Sequence, residues 1–477
     1  MEYEWQAPNP KIEIFSYKKP ESPVVVLAPK ENVSPGICNG LISYSFSEAT
    51  SSIEGSFNFT IQEDPDGSGY TAYDRIRNMF VVKIYEGSDR TPSFVGVIHK
   101  KRVGKNLTDK GVRNTTSFSG ESIAGLFTRF QIAMNIRIMS VKDADAANTN
   151  LTQKLSGMTL NPKSFIQKTW EDYVAMTISG LNGEVALGNT KVVEIVKNFI
   201  GEDFLETSDG DADFAYPIAS AFYQQGVNII TGIWQSLLPP PVYELFSRVD
   251  KAGNCRIVAR ESPFDSDDLT LNDISFSAKW TGLHITEVDP VKLTSFDLEL
   301  SDEEVYTAYY SYLEGSVLSQ EAYVTLSQLS KSGDQTVCID SEKLAVYGYR
   351  PLEVNFRGYA RVGTDSTRNN DILKAFSALN LRMKEWYGNI DKMHAGSITL
   401  TTDFMKPEKN PRAGERLGFI GGQFYIKSTD HSWAYGGTPT IVCTVNRGAK
   451  YSKSGVFIGE IDNAGKTLIE LEGVKSV

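Results

Sequence analysis

Apolar residues alternate with polar ones in two separate parts of this chain, one on each side of a central segment, and that repetition limits the folds open to it. In the first part, Phe57, Phe59 and Ile61 fall at every second position, the period of a strand with one buried and one wet side. Leu41, Tyr44 and Phe46 lead into it. A turn at 64–67, the segment 73–78, a hairpin of 80–85 with 94–98, and a strand over 114–119 follow, and Gly120 to Phe127 opens a short helix. In the second part, strands are predicted at 346–350, 352–356, 396–401, 417–420, 424–429 and 439–446. They surround a helix over 371–387 whose Ile372, Phe376, Leu379, Met383 and Trp386 share one face. The fold class predicted is α+β, mainly β, with two β-barrels carrying helices and a mixed, partly helical insertion between them.

The segments between and around these blocks differ in character. Residues 1–30 are rich in proline and charge and read as an extended arm of the kind that crosses to a neighbouring subunit. Residues 141–230 show helical periodicity at 165–176 and 192–199. In the central stretch, Ile233, Trp234, Leu237 and Leu238 are spaced for a helix that Pro239, Pro240 and Pro241 must end. A short amphipathic turn over 242–246 and a strand over 255–259 come next. Ser301-Asp-Glu-Glu-Val305 has the form of a capping box, predicting a helix that carries Tyr306, Tyr309, Tyr310 and Tyr312 at a partly wet seam. The domains expected are therefore an arm (1–30), a first barrel (31–140), a mostly helical domain (141–230), a mixed middle domain (231–344), a second barrel (345–450) and a tail (451–477).

Chemistry is sparse. The four histidines, His99, His284, His394 and His431, lie far apart and read as packed or surface imidazoles, and Cys38, Cys255, Cys338 and Cys443 form no C-x-x-C pair. Asp203, Asp209, Asp211 and Asp213 invite comparison with a calcium loop, but the spacing and terminal Glu of an EF-hand are missing, and a solvated loop is the reading. No phosphate loop, dinucleotide fingerprint, nucleophile elbow or zinc-protease motif occurs, and Gly421-Gly422 reads as a hairpin turn. No catalytic, cofactor-binding or metal-binding residue is assigned, and no enzymatic activity is expected. Arg260 and Glu261 are expected to form structural ion pairs. The net charge of −11 argues against a protein that grips phosphates, and an acidic surface lets a polyanion pass. No apolar run is long enough for a membrane span, and the start lacks a secretory signal, so cytoplasmic synthesis is expected.

Several motifs together resemble a known family. Gly55-Ser-Phe-Asn-Phe59, Phe94-Val-Gly-Val-Ile98 and Phe118 to Phe127 look like its first barrel. Pro241-Val-Tyr-Glu-Leu-Phe246, Ile257 to Phe264 and Ser301 to Tyr306 look like its middle region. Tyr347-Gly-Tyr-Arg350, Trp386-Tyr387, Gly414-Glu-Arg416, Phe424-Tyr-Ile426, His431-Ser-Trp433 and Thr444-Val-Asn-Arg-Gly448 look like its second barrel. The family is the central baseplate hub of contractile phage tails and tail-like particles, similar to the myovirus hub and late control protein D, with the hub-like part of the type VI secretion spike a more distant relative. The resemblance implies tube-type barrels and a homotrimer that matches a six-fold tail tube to a three-fold central spike. It implies other baseplate proteins as further partners, DNA passing through the channel without specific binding, and a place in the virion tail after assembly in the host cytoplasm. No fused lysozyme or needle is seen, so the spike is expected to be a separate chain. A tail-tip cell-wall or polysaccharide hydrolase and a receptor-binding adhesin, the latter suggested by 22 Tyr and 6 Trp, stay open as alternatives.

Overall fold

The computed structural model describes residues 9–29, 40–62, 72–87, 91–108, 111–129, 240–241, 243–250, 253–263, 282–313, 337–356, 380–384, 386–404, 406–419 and 421–450, with short pieces at 159–160, 195, 198–200, 205–207, 216–217, 269–270, 273–274 and 377. Strands of three residues or more begin with β1 (Lys11–Phe15), β2 (Val25–Leu27), β3 (Leu41–Ala49), β4 (Ser52–Gln62), β5 (Val81–Tyr85), β6 (Phe94–Thr108) and β7 (Gly111–Ser122). The middle contributes β8 (Leu205–Thr207), β9 (Tyr243–Val249) and β10 (Cys255–Glu261). The later strands are β11 (Ile285–Glu287), β12 (Leu293–Glu299), β13 (Ala308–Leu313), β14 (Val337–Ile339), β15 (Pro351–Phe356), β16 (His394–Thr401), β17 (Arg416–Phe419), β18 (Gly422–Ala434) and β19 (Thr440–Lys450). The described helices are short, among them α1 (Ala72–Arg75) and α2 (Ser341–Tyr347). The fold is mainly β.

One 13-stranded sheet dominates, in the order β12-β16-β19-β18-β3-β4-β7-β6-β5-β1-β2, with β17 on β18 and β11 on β17. The described ladders thus form a single sheet running through both blocks, where the sequence predicts two separate barrels. The joint is β3 against β18, antiparallel from Ser43–Ala434 to Ala49–Ser428. Strand β18 serves both blocks: Gly422 to Tyr425 pair with β17 in its own block, and beyond a bulge at Ile426/Ser428 the rest pairs with β3. Bulges bend and twist a strand, which is what lets one strand change neighbours. At the far end of the first block a single parallel bridge joins Ala28 to Gly40, with the Leu41 N–H donating to the Ala28 carbonyl at 2.8 Å. In the second block, the Asp289-capped turn Pro290–Lys292 carries the chain from β11, beside β17, to β12, beside β16.

Each block has its own apolar core. Phe46, Phe57, Phe59, Phe94 and Phe118 fill the first, which also takes Trp433 from β18 across the joint. Ile398, Leu417, Phe424, Ile441 and Val445 fill the second. Close strand packing explains a glycine. A Cβ at Gly120 would stand 1.9 Å from the Val97 carbonyl oxygen, a backbone atom that cannot swing away. Gly120→Ala is therefore expected to cost about 1–3 kcal/mol, read by thermal unfolding, while Gly282→Ala, with nothing within 4 Å, leaves stability near wild type.

Four local expectations are corrected. Residues 11–27, read as part of an arm, form β1 and β2; β1 pairs with β5 and β2 with β1, which Ile12 and Ile14, both fully buried, anchor. The turn expected over 242–246 is, from Tyr243 on, part of β9, whose Tyr243 to Ser247 are all buried, so no alternation marks it. The helix expected from Ser301 is instead a turn followed by β13, because Tyr309, Tyr310 and Tyr312 pair in parallel with Leu352, Glu353 and Asn355 of β15, and aromatic side chains favour strands. Conversely, the strand expected over 346–350 begins as the end of α2, which Asp340 caps by accepting from the Lys343 N–H and Gly348, at φ 71°, terminates. The 371–387 helix is helical where described. The expected mostly helical domain and the acidic loop at Asp203, Asp209, Asp211 and Asp213 lie largely or wholly outside the described residues, as do Cys38, the Ile233 to Leu238 helix and the tail.

Candidate functional site

The residues that point away from both cores form one continuous surface. Register places Lys100 beside Ser119, then Asn58, Ser45, Ser432, Thr440 and Thr401, directly opposite one another on successive strands from β6 to β16. A neighbouring row runs Arg102, Ser117, Thr60, Ser43 and Ala434. Two more run Ser56, Ser47, Asp430, Val442, Thr399 and Ser295, and Ala49, Ser428, Thr444, Ser397 and Asp297. Because side chains alternate across a strand, the face is made mostly of small hydroxyls and amides, with Val442, Ala434 and Ala49 among them; Asp430 lies within it, Glu121 stands opposite Ser56, and Lys100, Arg102 and Asp297 stand at the row ends. A hollow of about 380 Å³ opens on it over the β3–β18 joint, lined by Ser45, Asn58, Ser432, Gly437 and Thr440 among others.

Beneath this face a buried polar cluster holds the joint. Glu86 and His431 are almost fully buried, and the His431 Nδ1–H donates to Glu86 Oε1 at 2.9 Å; a carboxylate can only accept, which sets the tautomer. Asn410 Nδ2 donates to the other Glu86 oxygen at 3.2 Å. Arg412 donates to the Ser93 carbonyl at 2.6 Å and to Glu48 Oε1 at 3.3 Å. The His431 ring stacks on Phe46 with centroids 4.3 Å apart. Burial alone would raise the Glu86 carboxyl, but His431, with Arg412 and Ser93, outweighs it and holds the group below its ordinary value. Burial and then the Glu86 charge push the Tyr44 phenol well above its own. Glu48, Glu86 and Ser93 come from the first block, Asn410, Arg412 and His431 from the second.

The β9–β10 hairpin reinforces the joint from the middle of the chain. On one side Ser247 Oγ donates to the Ile53 carbonyl at 2.9 Å. On the other, Arg260 donates through Nε to Glu244 at 2.9 Å and through one terminal nitrogen to the Gly414 carbonyl at 2.7 Å and the Tyr425 hydroxyl at 3.0 Å. Tyr425 in turn donates to Glu244. Arg260 thus has the ion pair expected of it, with Glu244, and Glu261 has one with Arg382 at 2.9 Å.

Several of the motifs singled out in the sequence lie at or near these contacts, while Ser301 to Tyr306 and Tyr347 to Arg350 meet each other through Asp302 and Arg350. His431 and Trp433 point into the joint while Ser432 between them faces out. In Thr444 to Gly448, Arg447 adopts φ 54° and stacks 3.5 Å from the Trp386 ring, and a Cβ at Gly448 would lie 2.1 Å from the Phe424 ring. Gly421 forms the predicted turn at φ 69°. Cys255, Cys338 and Cys443 are buried free thiols. Among the described residues no group of His, Cys, Asp and Glu is arranged to hold a metal, and no helix is long and apolar enough to cross a membrane. Sequence reasoning missed the cluster around Glu86, whose bonded members are up to 364 positions apart; Glu86 itself carries no local signal.

These features define a mainly β protein whose two blocks are welded into one sheet with a largely hydroxyl-bearing outer face that is charged at its ends. No family model and no curated protein matches the chain. Among solved structures it is similar to a tail protein from Neisseria meningitidis MC58, with a TM-score of 0.47 and 9% identity over 92% of this chain and 96% of that one. It is similar to the 43 kDa tail protein of prophage MuSo2 from Shewanella oneidensis, with a TM-score of 0.47 and 11% identity over 92% and 98%. It is also similar to an E. coli component of the type VI secretion system described as structurally similar to the T4 bacteriophage tail proteins gp27 and gp5, with a TM-score of 0.40 and 10% identity over 88% and 77%.

Proposed function

We propose that this chain is the structural hub of a phage or phage-tail-like baseplate, three copies of which form a ring that fits a six-fold tail tube to a three-fold central spike and lines part of the delivery channel. The observation that carries the reading is the sheet face shared by both blocks. Two blocks joined rigidly in one chain give three copies six similar positions, and symmetry is matched without an active site. Each block then acts as a tube-type barrel, the first closing through the Ala28–Gly40 bridge and the second through the bend between β11 and β12. Between its charged ends, a wall rich in Ser, Thr and Asn offers a passing polyanion neither clustered cations that would hold it nor dense carboxylates that would repel it. Several of the motifs that resemble the hub family, His431-Ser-Trp433 and Phe424-Tyr-Ile426 among them, lie at or beside the joint.

The test is co-assembly. Mixed with the tube and spike proteins of the same particle, the chain is expected to bind both and to appear in native mass spectra as three copies per spike. Failure to bind either protein, or a stoichiometry other than three, would overturn the reading.

A further inference from the structure

The two ends of the shared face carry opposite charge on open strand edges. Strand β6 pairs with β5 only from Phe94 to Val97, so from Lys100 onward its outer edge has no strand beside it among the described residues. That edge carries Lys100, Arg102 and Lys105, all exposed. Lys101 points inward and is spent on the Tyr73 and Ile76 carbonyls. In sequence, 100–114 holds six Lys and Arg against one Asp in a chain of net charge −11, so this ribbon is an outlier. Seven strands away, β12 is the other open end, paired among the described residues only with β16. It presents Asp297 and Glu299, and Glu303 follows just beyond, all exposed and without an ion-pair partner among the described residues. Asp302 and Glu304 add to the acidic run, although Arg350 and Lys427 face them.

We propose that these edges are the two halves of a contact between copies of this chain, the basic β6 edge of one copy adding to the acidic β12 edge of the next. Open edges have unpaired N–H and C=O groups ready for a further strand. Exposed charge pairs are individually weak, so the backbone ladder supplies the affinity, while the charges fix which edge meets which and prevent like edges from pairing. Because the two edges differ, the contact is head-to-tail, and such a contact closes into a ring when the rotation between copies allows. It also continues the hydroxyl face from copy to copy. Each copy spans about 34 Å from β6 to β12 at ~4.8 Å per strand, so three would enclose a channel on the order of 30 Å across. The number three rests on the hub reading; the contact does not.

Sedimentation velocity on the full chain tests it, with four proteins: wild type, the reversal K100E/R102E/K105E, the reversal D297K/E299K, and a chain carrying all five changes. The wild type is expected to sediment as an oligomer, each reversal as a monomer, and the five-fold variant as an oligomer again. The changed residues are exposed, so circular dichroism melts should match wild type; if the triple reversal fails to fold, R102E alone takes its place and is expected to shift the association at least several-fold. Reversals that keep the wild-type mass, or a five-fold variant that stays monomeric, would overturn the contact while leaving a trimeric hub in place. A wild type that is monomeric both alone and with the spike would overturn contact and hub together.

Discussion

Glu86→Ala is expected to destabilise the protein by about 3–5 kcal/mol, the range for removing one partner of a buried ion pair. The substitution leaves His431, Asn410 and Arg412 facing a void where the carboxylate stood, directly beneath the β3–β18 ladder, in which His431 pairs with Phe46. Calorimetry should show the change as an earlier unfolding transition that splits in two as the blocks uncouple; an unaltered transition would contradict the role given to the cluster. The pH dependence has a definite sign. The Glu86 carboxyl lies below its ordinary value of 4.5 in the folded chain, so the unfolded chain binds the proton more readily. The stability it contributes is complete above about pH 4.5 and is lost as pH falls through the lower folded value. Wild type is therefore expected to lose stability more steeply than Glu86→Gln in that acid range.

Arg260→Ala is expected to cost a similar 3–5 kcal/mol. It strands the nearly buried Glu244 and removes the donors to Gly414 and Tyr425, three contacts made by one planar group. Lysine keeps the charge but not the fork, so Arg260→Lys should recover less than half of the loss. Burial, followed by the Glu244 charge, raises the Tyr425 phenol well above its ordinary value, which keeps its proton available for Glu244. Glu244 and Arg260 should couple, the double alanine variant losing less than the two single losses combined. Additive losses in chemical denaturation would show that the hairpin is held by packing around Phe246 rather than by this network.

The sequence is most informative where burial is one-sided. Phe57, Phe59 and Ile61 alternate, and β4 lies where that pattern puts it, each of them buried and each intervening residue wet. The same signal was present in Lys11–Phe15, where Ile12 and Ile14 alternate with charge, but the prolines around it favoured an arm. Strand β9 is buried on both sides at its start, so it has no period to read. Ser301 to Val305 satisfies the local rule for a helix start, and what overrides it is a parallel partner some forty residues away that no local pattern reveals. Asp340 and Gly348 mark both ends of α2, and Tyr347-Gly-Tyr, which the sequence predicts as strand, instead closes that helix. The shared face was legible only in halves. Each strand's hydroxyl side can be read, but the pairing of β3 with β18 joins segments nearly four hundred positions apart, and only that pairing makes two faces one. The His431-Ser-Trp433 motif was visible in the sequence; that it seals the joint was not.

Cryo-electron microscopy of the chain mixed with candidate spike and tube proteins, viewed down the axis, puts the proposed ring itself to the test. Expected is a ring of three chains with six similar lobes, the face containing Ser45, Asn58, Ser432 and Thr399 turned toward a central channel, and β6 of each copy beside β12 of the next. A ring with that face turned outward, or an assembly without three-fold symmetry, would contradict it.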